Sequence, residues 1–341
     1  MKLNKTRYYL ISAALCLISI VGIGYYYFLT SFSEMAETVY VYIDHDDTAD
    51  SVYTKLQPLT SESALSGLRT LSRHYDYSTN IRTGRYAIEP GMSTINVFRM
   101  LRNGQQAPIM LTIPECRTME QLAGRLAPKL MIDSATIVKA VTDQAFCQKL
   151  GYDTCTIGCI FVPNTYEVYW NTSIERLMNR MAREHDTFWN TERQQKAKAA
   201  GLTPNEVCTL ASIIDEETSN NAEKPMVAGM YLNRLNKGMA LQADPTVKFA
   251  LKNFALRRIY KTHLAIDNPY NTYRYAGLPP GPIKIASIQG IEAVLNHAHH
   301  DYLYMCAKED FSGTHNFAVT YQEHLRNADR YVKALNRRGI K

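Results

Sequence analysis

Leu210, Ile213, Ile214 and Glu217 fall at i, i+3, i+4 and i+7, so three aliphatic side chains and one carboxylate share a helical face. Asp215 and Glu216 are rotated off that face. The pattern also marks the ends of this helix. Thr203 is the predicted N-cap, Pro204 stands at N1 and Glu206 at N3, which makes a capping box, with Leu202 and Val207 placed for a hydrophobic staple. After Thr218 the run Ser219-Asn220-Asn221 breaks the period. A second helix is predicted from about Lys224 to Lys237, closed by Gly238, with Val227, Met230, Tyr231, the Arg234 stem and Leu235 as its stripe.

At the N-terminus the polar positions disappear. Tyr8 to Ser33 carries no charge, and Leu10 to Phe28 is almost wholly apolar, which is long enough to span a bilayer. Lys2, Lys5 and Arg7 precede this stretch, and Glu34 and Glu37 come after it. The positive-inside rule then gives a cytoplasmic segment 1–7, a transmembrane helix 8–32 and an external remainder. The apolar run outlasts the h-region of a cleaved signal peptide, despite the small Ala13-Ala14 pair, so an uncleaved anchor is the reading adopted. Cys16 lacks a good lipobox.

Between anchor and helix pair, periodicity alternates between 2 and 3.6. Residues 34–44 read as a strand, and 48–56 and 61–74 as helices, with Thr48 a candidate N-cap. Residues 83–104 give a strand, a Pro-Gly turn and a helix capped by Gly104. A strand around Ile109–Ile113 and a helix around Thr118–Leu130 come next. Residues 134–200 read as mainly helical, with an irregular insert at Cys155–Tyr169. The fold class is α+β: a transmembrane helix, a small α/β module over 33–107, a connecting region over 108–200 and a mixed domain over 201–341.

Composition narrows the partners. A net charge of +6 without a dense Lys/Arg stripe tolerates anionic polymers but gives no case for nucleic acid. The 23 tyrosines suit carbohydrate stacking, although interfacial or core tyrosine explains them equally. Of seven cysteines, Cys147, Cys155 and Cys159 are close enough in sequence for bridges in an oxidising compartment. Cys208 reads as a small buried hydrophobe. His297, His299 and His300 lack a carboxylate or Cys at ligand spacing, so no metal is assigned, and no cofactor. The chain has no phosphate loop, no Gly-x-Ser-x-Gly elbow and no HExxH.

A carboxylate against an apolar wall loses hydration, so Glu217 can hold a proton near neutral pH and act as a general acid. The alternative is a salt-bridged or half-exposed helical acid. Asp244 precedes Pro245, which predicts an extended or turn conformation. It reads either as the second carboxylate of a glycosidase pair or as a loop-capping Asp. Tyr270-Asn271-Thr272-Tyr273 and Gly277-Leu278-Pro279-Pro280-Gly281-Pro282 form a polar-aromatic loop and a rigid turn, a composition that suits a sugar groove. Thr314-His315-Asn316-Phe317 is placed between strands, where His315 and Asn316 could form a polar pair at a cleft.

Leu210-Ala211-Ser212-Ile213-Ile214-Asp215-Glu216-Glu217-Thr218 resembles the LASI-[IV]-EKET motif of the YceG-like endolytic murein transglycosylases. The resemblance continues in order through Tyr231-Leu232-Asn233-Arg234-Leu235, Leu241-Gln242-Ala243-Asp244-Pro245-Thr246-Val247 and both aromatic and proline-rich loops. Upstream, Phe161-Val162-Pro163-Asn164-Thr165-Tyr166 resembles FPDTY, and Gly84-Arg85-Tyr86 with Gly91-Met92 resembles the family's LysM-like module. The departures are Asp215 for Glu, Glu216 for Lys and Asn164 for Asp. The resemblance implies a lyase that cuts MurNAc-β-1,4-GlcNAc bonds inside strands, with Glu217 catalytic. It implies Asn233, Gln242, Asp244, Thr246, Tyr270, Asn271, Tyr273, His315 and Asn316 as sugar-binding candidates. It also implies glycan strands and peptidoglycan synthases as partners, a LysM-like peptidoglycan-binding module at 33–107 and a bacterial cytoplasmic-membrane location. A peptidoglycan-binding scaffold without activity and a two-carboxylate muramidase using Glu217 and Asp244 are the alternatives.

Overall fold

The computed structural model describes residues 5–256 and 258–339. Lys2 of the predicted cytoplasmic segment and the last two residues of the predicted 201–341 domain lie outside them. The architecture is mixed α+β and divides into two compact units. The first draws on Met1–Met110, Lys129–Met131 and Glu167–Thr172, and the second on Leu111–Pro128, Ile132–Tyr166 and Ser173–Lys341.

In the first unit α1 (Lys5–Gly24) runs into a π-helical turn, Tyr25–Leu29, and Arg7–Leu29 is long and apolar enough to cross a membrane. The helical run stops at Leu29, short of the predicted boundary at residue 32. Phe32 is apolar for a different reason: it is wholly buried in the core of the unit, with its N–H donating to Met92 O at 2.7 Å. Strand β1 (Val39–Ile43) pairs antiparallel with β2 (Gly84–Ile88), and between them come α2 (Ala49–Leu56) and α3 (Glu62–His74). The period-2 pattern turns Val41, Ile43, Tyr86 and Ile88 inward, against Val52, Leu56, Leu65 and Leu68. Thr48 closes a capping box on α2 with Ser51. A Cβ at Gly67 of α3 would collide with the Tyr27 carbonyl, so glycine lets the helix approach the π-helical turn. Helix α4 (Thr94–Asn103) ends at Gly104, whose φ of +68° is the left-handed cap expected from sequence.

The second unit carries the helix of the capping box and Glu217. Strands β3 (Ile109–Thr112) and β4 (Thr165–Val168) lie where the chain passes between units. Helices α5 (Met119–Leu126), α6 (Ser134–Thr142), α7 (Gln144–Lys149), α8 (Ile174–Phe188) and α9 (Thr191–Ala199) lead to α10 (Pro204–Glu217). Cys159, Trp189 and Ala197, from within the predicted 108–200 region, share a buried cluster with α10. Within the predicted irregular insert lie a short 3-10 turn, Ile157–Ile160, and β4. The remainder is α11 (Lys224–Asn236), α12 (Asp244–Ala250), α13 (Lys261–Leu264), α14 (Ile288–Leu295), the antiparallel pair β5 (Tyr304–Ala307) and β6 (His315–Ala318), and α15 (Tyr321–Arg337).

Helix α10 is the centre of this unit. It starts at the predicted Thr203–Glu206 capping box and packs on α9, α11, α12 and α14. Every residue from Val207 to Ile214 is buried, so the helix is enclosed all round rather than on one stripe. Small residues make that possible: Cys208, Thr209, Ala211 and Ser212 fill the faces the aliphatic stripe does not. Their hydroxyls are satisfied locally, Thr209 donating to Asn205 O and Ser212 donating to Thr209 O while accepting Ile283 N–H. Next along the helix, Asp215 is 1% exposed at its side chain. It accepts Lys224 Nζ, Ser287 N–H and Ser287 Oγ–H, each at 2.7 Å. Asp215→Ala would strand the Lys224 ammonium, itself 7% exposed. Chemical denaturation should show a loss of about 3–5 kcal/mol, and a loss under about 1 kcal/mol would mean the pair does not brace α10 against α11 and α14.

Candidate active site

Glu217 is the last residue of α10, at the point where complete burial gives way to a cleft. Tyr231, 2% exposed on α11, donates its hydroxyl to Glu217 Oε1 at 2.7 Å. The cleft has a volume of about 250 Å³, with Glu217, Tyr231, Arg234, Gln242, Asp244 and Tyr273 on its walls, and Met305–Ala307 with His315 closing it from the β5–β6 pair. Burial is the main force on the Glu217 carboxyl and pushes its pKa up to about 7. The Tyr231 hydrogen bond pulls it down, the Asp244 charge pushes it up, and His315 and Lys248 oppose that. The unpaired carbonyls at the end of α10 also favour the neutral acid. With Oε1 accepting from Tyr231, the proton belongs on Oε2.

Asp244 is the other carboxylate lining the cleft, and it is engaged: Tyr273 donates to its Oδ1 at 2.6 Å. Contrary to the predicted pre-proline loop, Asp244 is the first residue of α12, with Pro245 in the opening turn, where a missing N–H costs nothing. Gln242 reaches the cleft from a left-handed backbone, φ +52°, a conformation that costs free energy for a non-glycine residue and gathers at functional sites. Its N–H donates to Thr272 O at 3.0 Å.

His315 lies within β6 rather than between strands. Buried Glu223 fixes it twice, Oε1 accepting the His315 backbone N–H at 2.6 Å and Oε2 facing Nδ1 at 3.0 Å. Thr218, the residue after the cleft acid, donates to the same Glu223 Oε2. The carboxylate holds the Nδ1–H tautomer and so sets the ring's orientation at the cleft.

The other expected sugar-binding residues stand behind the cleft wall. Thr246 and Asn271 are fully buried. Thr246 donates to Ala243 O and shares a hydrogen bond with Thr272 Oγ1, while Asn271 Nδ2 donates to Leu264 O and Ile266 O. Asn271 Oδ1 accepts Tyr273 N–H, so the asparagine orients the tyrosine that holds Asp244. Asn233 donates to the carbonyls of His300 and Tyr302. Asn316 donates to Glu309. The Tyr270 ring packs on Phe249 at 4.7 Å and lines a separate pocket with Cys155. Five of the ten expected residues, Glu217, Gln242, Asp244, Tyr273 and His315, therefore come together. Sequence reasoning missed Glu223, which sits in a turn without periodicity. It also read Arg234 as a stem, whereas its guanidinium ties Leu303 O and Leu241 O at 2.6 and 2.7 Å beside the cleft.

The two departures from the family motif on α10 have local answers. Asp215, shorter than Glu, fits under Gly290 and caps Ser287. Glu216, reversed from Lys, is held by Arg117 at 2.8 Å and lies 3.8 Å from Lys284, so its charge is answered away from the cleft.

Tyr231→Phe removes a bond that favours the carboxylate, so the Glu217 pKa should rise further, and the alkaline limb of a pH–rate profile should move up from about 7. A limb that stays put or moves down would show that the hydroxyl does not govern this acid. Glu217→Gln also bears on stability. A carboxyl whose folded pKa is raised binds more protons folded than unfolded, so stability is lost as pH climbs from about 4.5 through 7. The Gln variant should therefore melt higher than the parent at about pH 8 and level with it near about pH 4. Equal melting temperatures at both pH values would contradict a desolvated carboxyl.

A YceG-like family model matches residues 41–330 of the chain. The endolytic murein transglycosylase of Bacillus subtilis strain 168 is 30% identical over 279 residues, 77% of this chain and 76% of that one. The endolytic murein transglycosylase of Streptococcus pneumoniae strain D39 is 28% identical over 295 residues, and the chain spans about half of its length, 52%. A crystal structure of a YceG-like protein from Listeria monocytogenes aligns with a TM-score of 0.56 at 27% identity, covering 86% of this chain and 99% of that one. With the family model covering most of its length and the order of motifs preserved around Glu217, the chain belongs to the YceG-like family.

Proposed function

We propose that the chain is an endolytic murein transglycosylase, a lyase that cuts MurNAc-β-1,4-GlcNAc bonds within glycan strands and leaves 1,6-anhydroMurNAc ends. The observation that carries the mechanism is one desolvated, tyrosine-braced carboxyl in a cleft whose other carboxylate is already occupied. Glu217 donates its Oε2 proton to the leaving glycosidic oxygen. Its carboxylate then takes the proton of the muramoyl C6 hydroxyl, which attacks C1 and closes the anhydro ring. The nucleophile belongs to the substrate, so no second carboxylate is needed to activate water. Burial supports both steps, because a pKa of about 7 leaves the acid and the base close in free energy at working pH.

Gln242, Asp244, Tyr273 and His315 are assigned to holding sugar rings and the oxocarbenium-like charge. Tyr231 and Glu223 are assigned to positioning. Asn233, Thr246, Asn271 and Asn316 act through the loops and strands they tie together, and Tyr270 through packing on Phe249. The first unit is read as a LysM-like peptidoglycan-binding module on an uncleaved single-pass anchor, N-terminus inside and Glu217 outside, at the bacterial cytoplasmic membrane. There the enzyme would end nascent strands beside peptidoglycan synthases. The N-terminal charges, Lys5 and Arg7 before the span and Glu34 and Glu37 after it, support that orientation.

Mass analysis of purified glycan strands digested by the chain should find anhydro ends at internal cuts. Glu217→Gln should lower the rate by at least about 10²–10⁴. Asp244→Asn should keep anhydro products with weaker substrate binding. Reducing-end products from the parent, with Asp244→Asn inactive, would make the protein a muramidase. No products at all would leave a scaffold.

A further inference from the structure

Two thiols in the core of the second unit take no part in the cleft mechanism. Cys159, in the 3-10 turn Ile157–Ile160, and Cys208, in the second turn of α10, are 4% and 3% exposed and share the buried cluster around that helix. Cys159 Sγ donates to Asn205 O at 3.8 Å, and Cys208 follows Asn205 by three residues, on the same helical face. The Cys159 and Cys208 thiols lie within hydrogen-bonding reach of each other. The cysteines expected as neighbours of Cys159 are engaged elsewhere. Cys147 turns its thiol to Ala140 O and Val141 O, at 3.8 and 3.5 Å, and exposed Cys155 is hydrogen-bonded with the Tyr270 hydroxyl.

We propose that Cys159 and Cys208 are a disulfide site, closed as the chain folds, that fastens the 3-10 turn to the start of the helix carrying Glu217. Thiols in hydrogen-bonding contact are about 2 Å short of an S–S bond, a gap that side-chain rotation spans. The link closes a loop of roughly 50 residues, long enough to restrict the unfolded chain strongly. The oxidant is itself a disulfide, of a thiol–disulfide oxidoreductase or of glutathione. One cysteine thiolate attacks it, forming a mixed disulfide and releasing one thiolate. The second cysteine thiolate attacks the chain's sulfur in that mixed disulfide, which forms the Cys159–Cys208 bond and releases the other. The two protons lost by the cysteines pass to the released thiolates, and the electron pair ends on the reduced oxidant. Access sets the timing. Once enclosed, Cys159 is held well above the usual thiol pKa by the Cys208 thiol and by burial, so little thiolate forms there. The exchange therefore belongs to the folding chain, before α10 is covered. A supply of oxidant rests on the proposed position of the second unit outside the membrane.

The test uses the full chain, purified in detergent from membranes quenched with N-ethylmaleimide and mapped by mass without reduction. A Cys159–Cys208 cross-linked peptide, two hydrogens lighter than the two thiol peptides, is expected. A second sample is unfolded, reduced and refolded in detergent, in a glutathione redox buffer or in dithiothreitol. The redox-buffer sample should form the same link and melt about 5–10 °C higher. Cys208→Ala keeps a small apolar side chain and should melt at one temperature from both buffers. Maleimide on both Cys159 and Cys208 after refolding in the redox buffer overturns the site. So does a link to Cys147 or Cys155 in its place, or a parent melting temperature that ignores the buffer. Orientation is judged separately, by labelling exposed Cys155 on spheroplasts with a membrane-impermeant maleimide. With Cys155 labelled, free Cys159 and Cys208 in the membrane sample also overturn the site. With Cys155 unlabelled, the external reading fails and the refolded samples alone decide the site.

Discussion

A carboxyl at the end of a wholly enclosed helix is the constraint on which the second unit turns. Removing the α10 backbone and eight consecutive side chains from water is favourable because they are apolar or locally hydrogen-bonded. Glu217 is the first residue along that helix with a carboxyl presented to the cleft. Keeping it there in ionised form is costly, so the site settles near the balance between acid and base. Tyr231 narrows the cost by donating one hydrogen bond, and being buried itself it cannot turn away to solvent. The proton-transfer capacity is thus a consequence of the packing of α10 against α11 and α14 rather than an addition to it.

Three consecutive acids show how rotation around one helix assigns roles. A step of about 100° per residue sends each to a different environment. Asp215 meets Lys224 and the first turn of α14, so its charge is matched inside the core and serves as a brace. Glu216 meets Arg117 and Lys284 and is matched nearer the surface. Glu217 meets a neutral hydroxyl instead of a cation. Had a lysine or arginine reached it, its pKa would have fallen and the acid would have been lost. The same logic explains why Glu216 can differ in sign from the family's motif: its neighbours supply the opposite charge at a place the reaction does not touch.

Local order was legible from sequence, and tertiary partnership was not. The capping box at Thr203, the Thr48 and Gly104 caps and the position of Glu217 on α10 all come from spacing within a few residues. The polar residues of the motifs were harder to place. Asn233, Thr246, Asn271 and Asn316 look like ligands for sugar because they are amides and hydroxyls, but the same groups satisfy backbone carbonyls and side chains behind the cleft. No spacing rule separates those two uses. Phe32 shows the same ambiguity for apolar residues, since a membrane and a protein core both select for phenylalanine.

The residues that sequence reasoning overlooked share a property: their partners are far away in the chain. Glu223 matters because it holds His315, 92 residues on. Arg234 matters because the backbone of Leu303 ends beside it. Each fixes an edge of the β5–β6 pair against the helices that carry Glu217 and Tyr231, so the pair's contribution to the cleft is set by contacts to α11 and its preceding turn. The two strands are short and would be marginal alone. Their register and position are therefore borrowed from the helical core, which makes the cleft one object with a single stability rather than a loop laid over an independent scaffold.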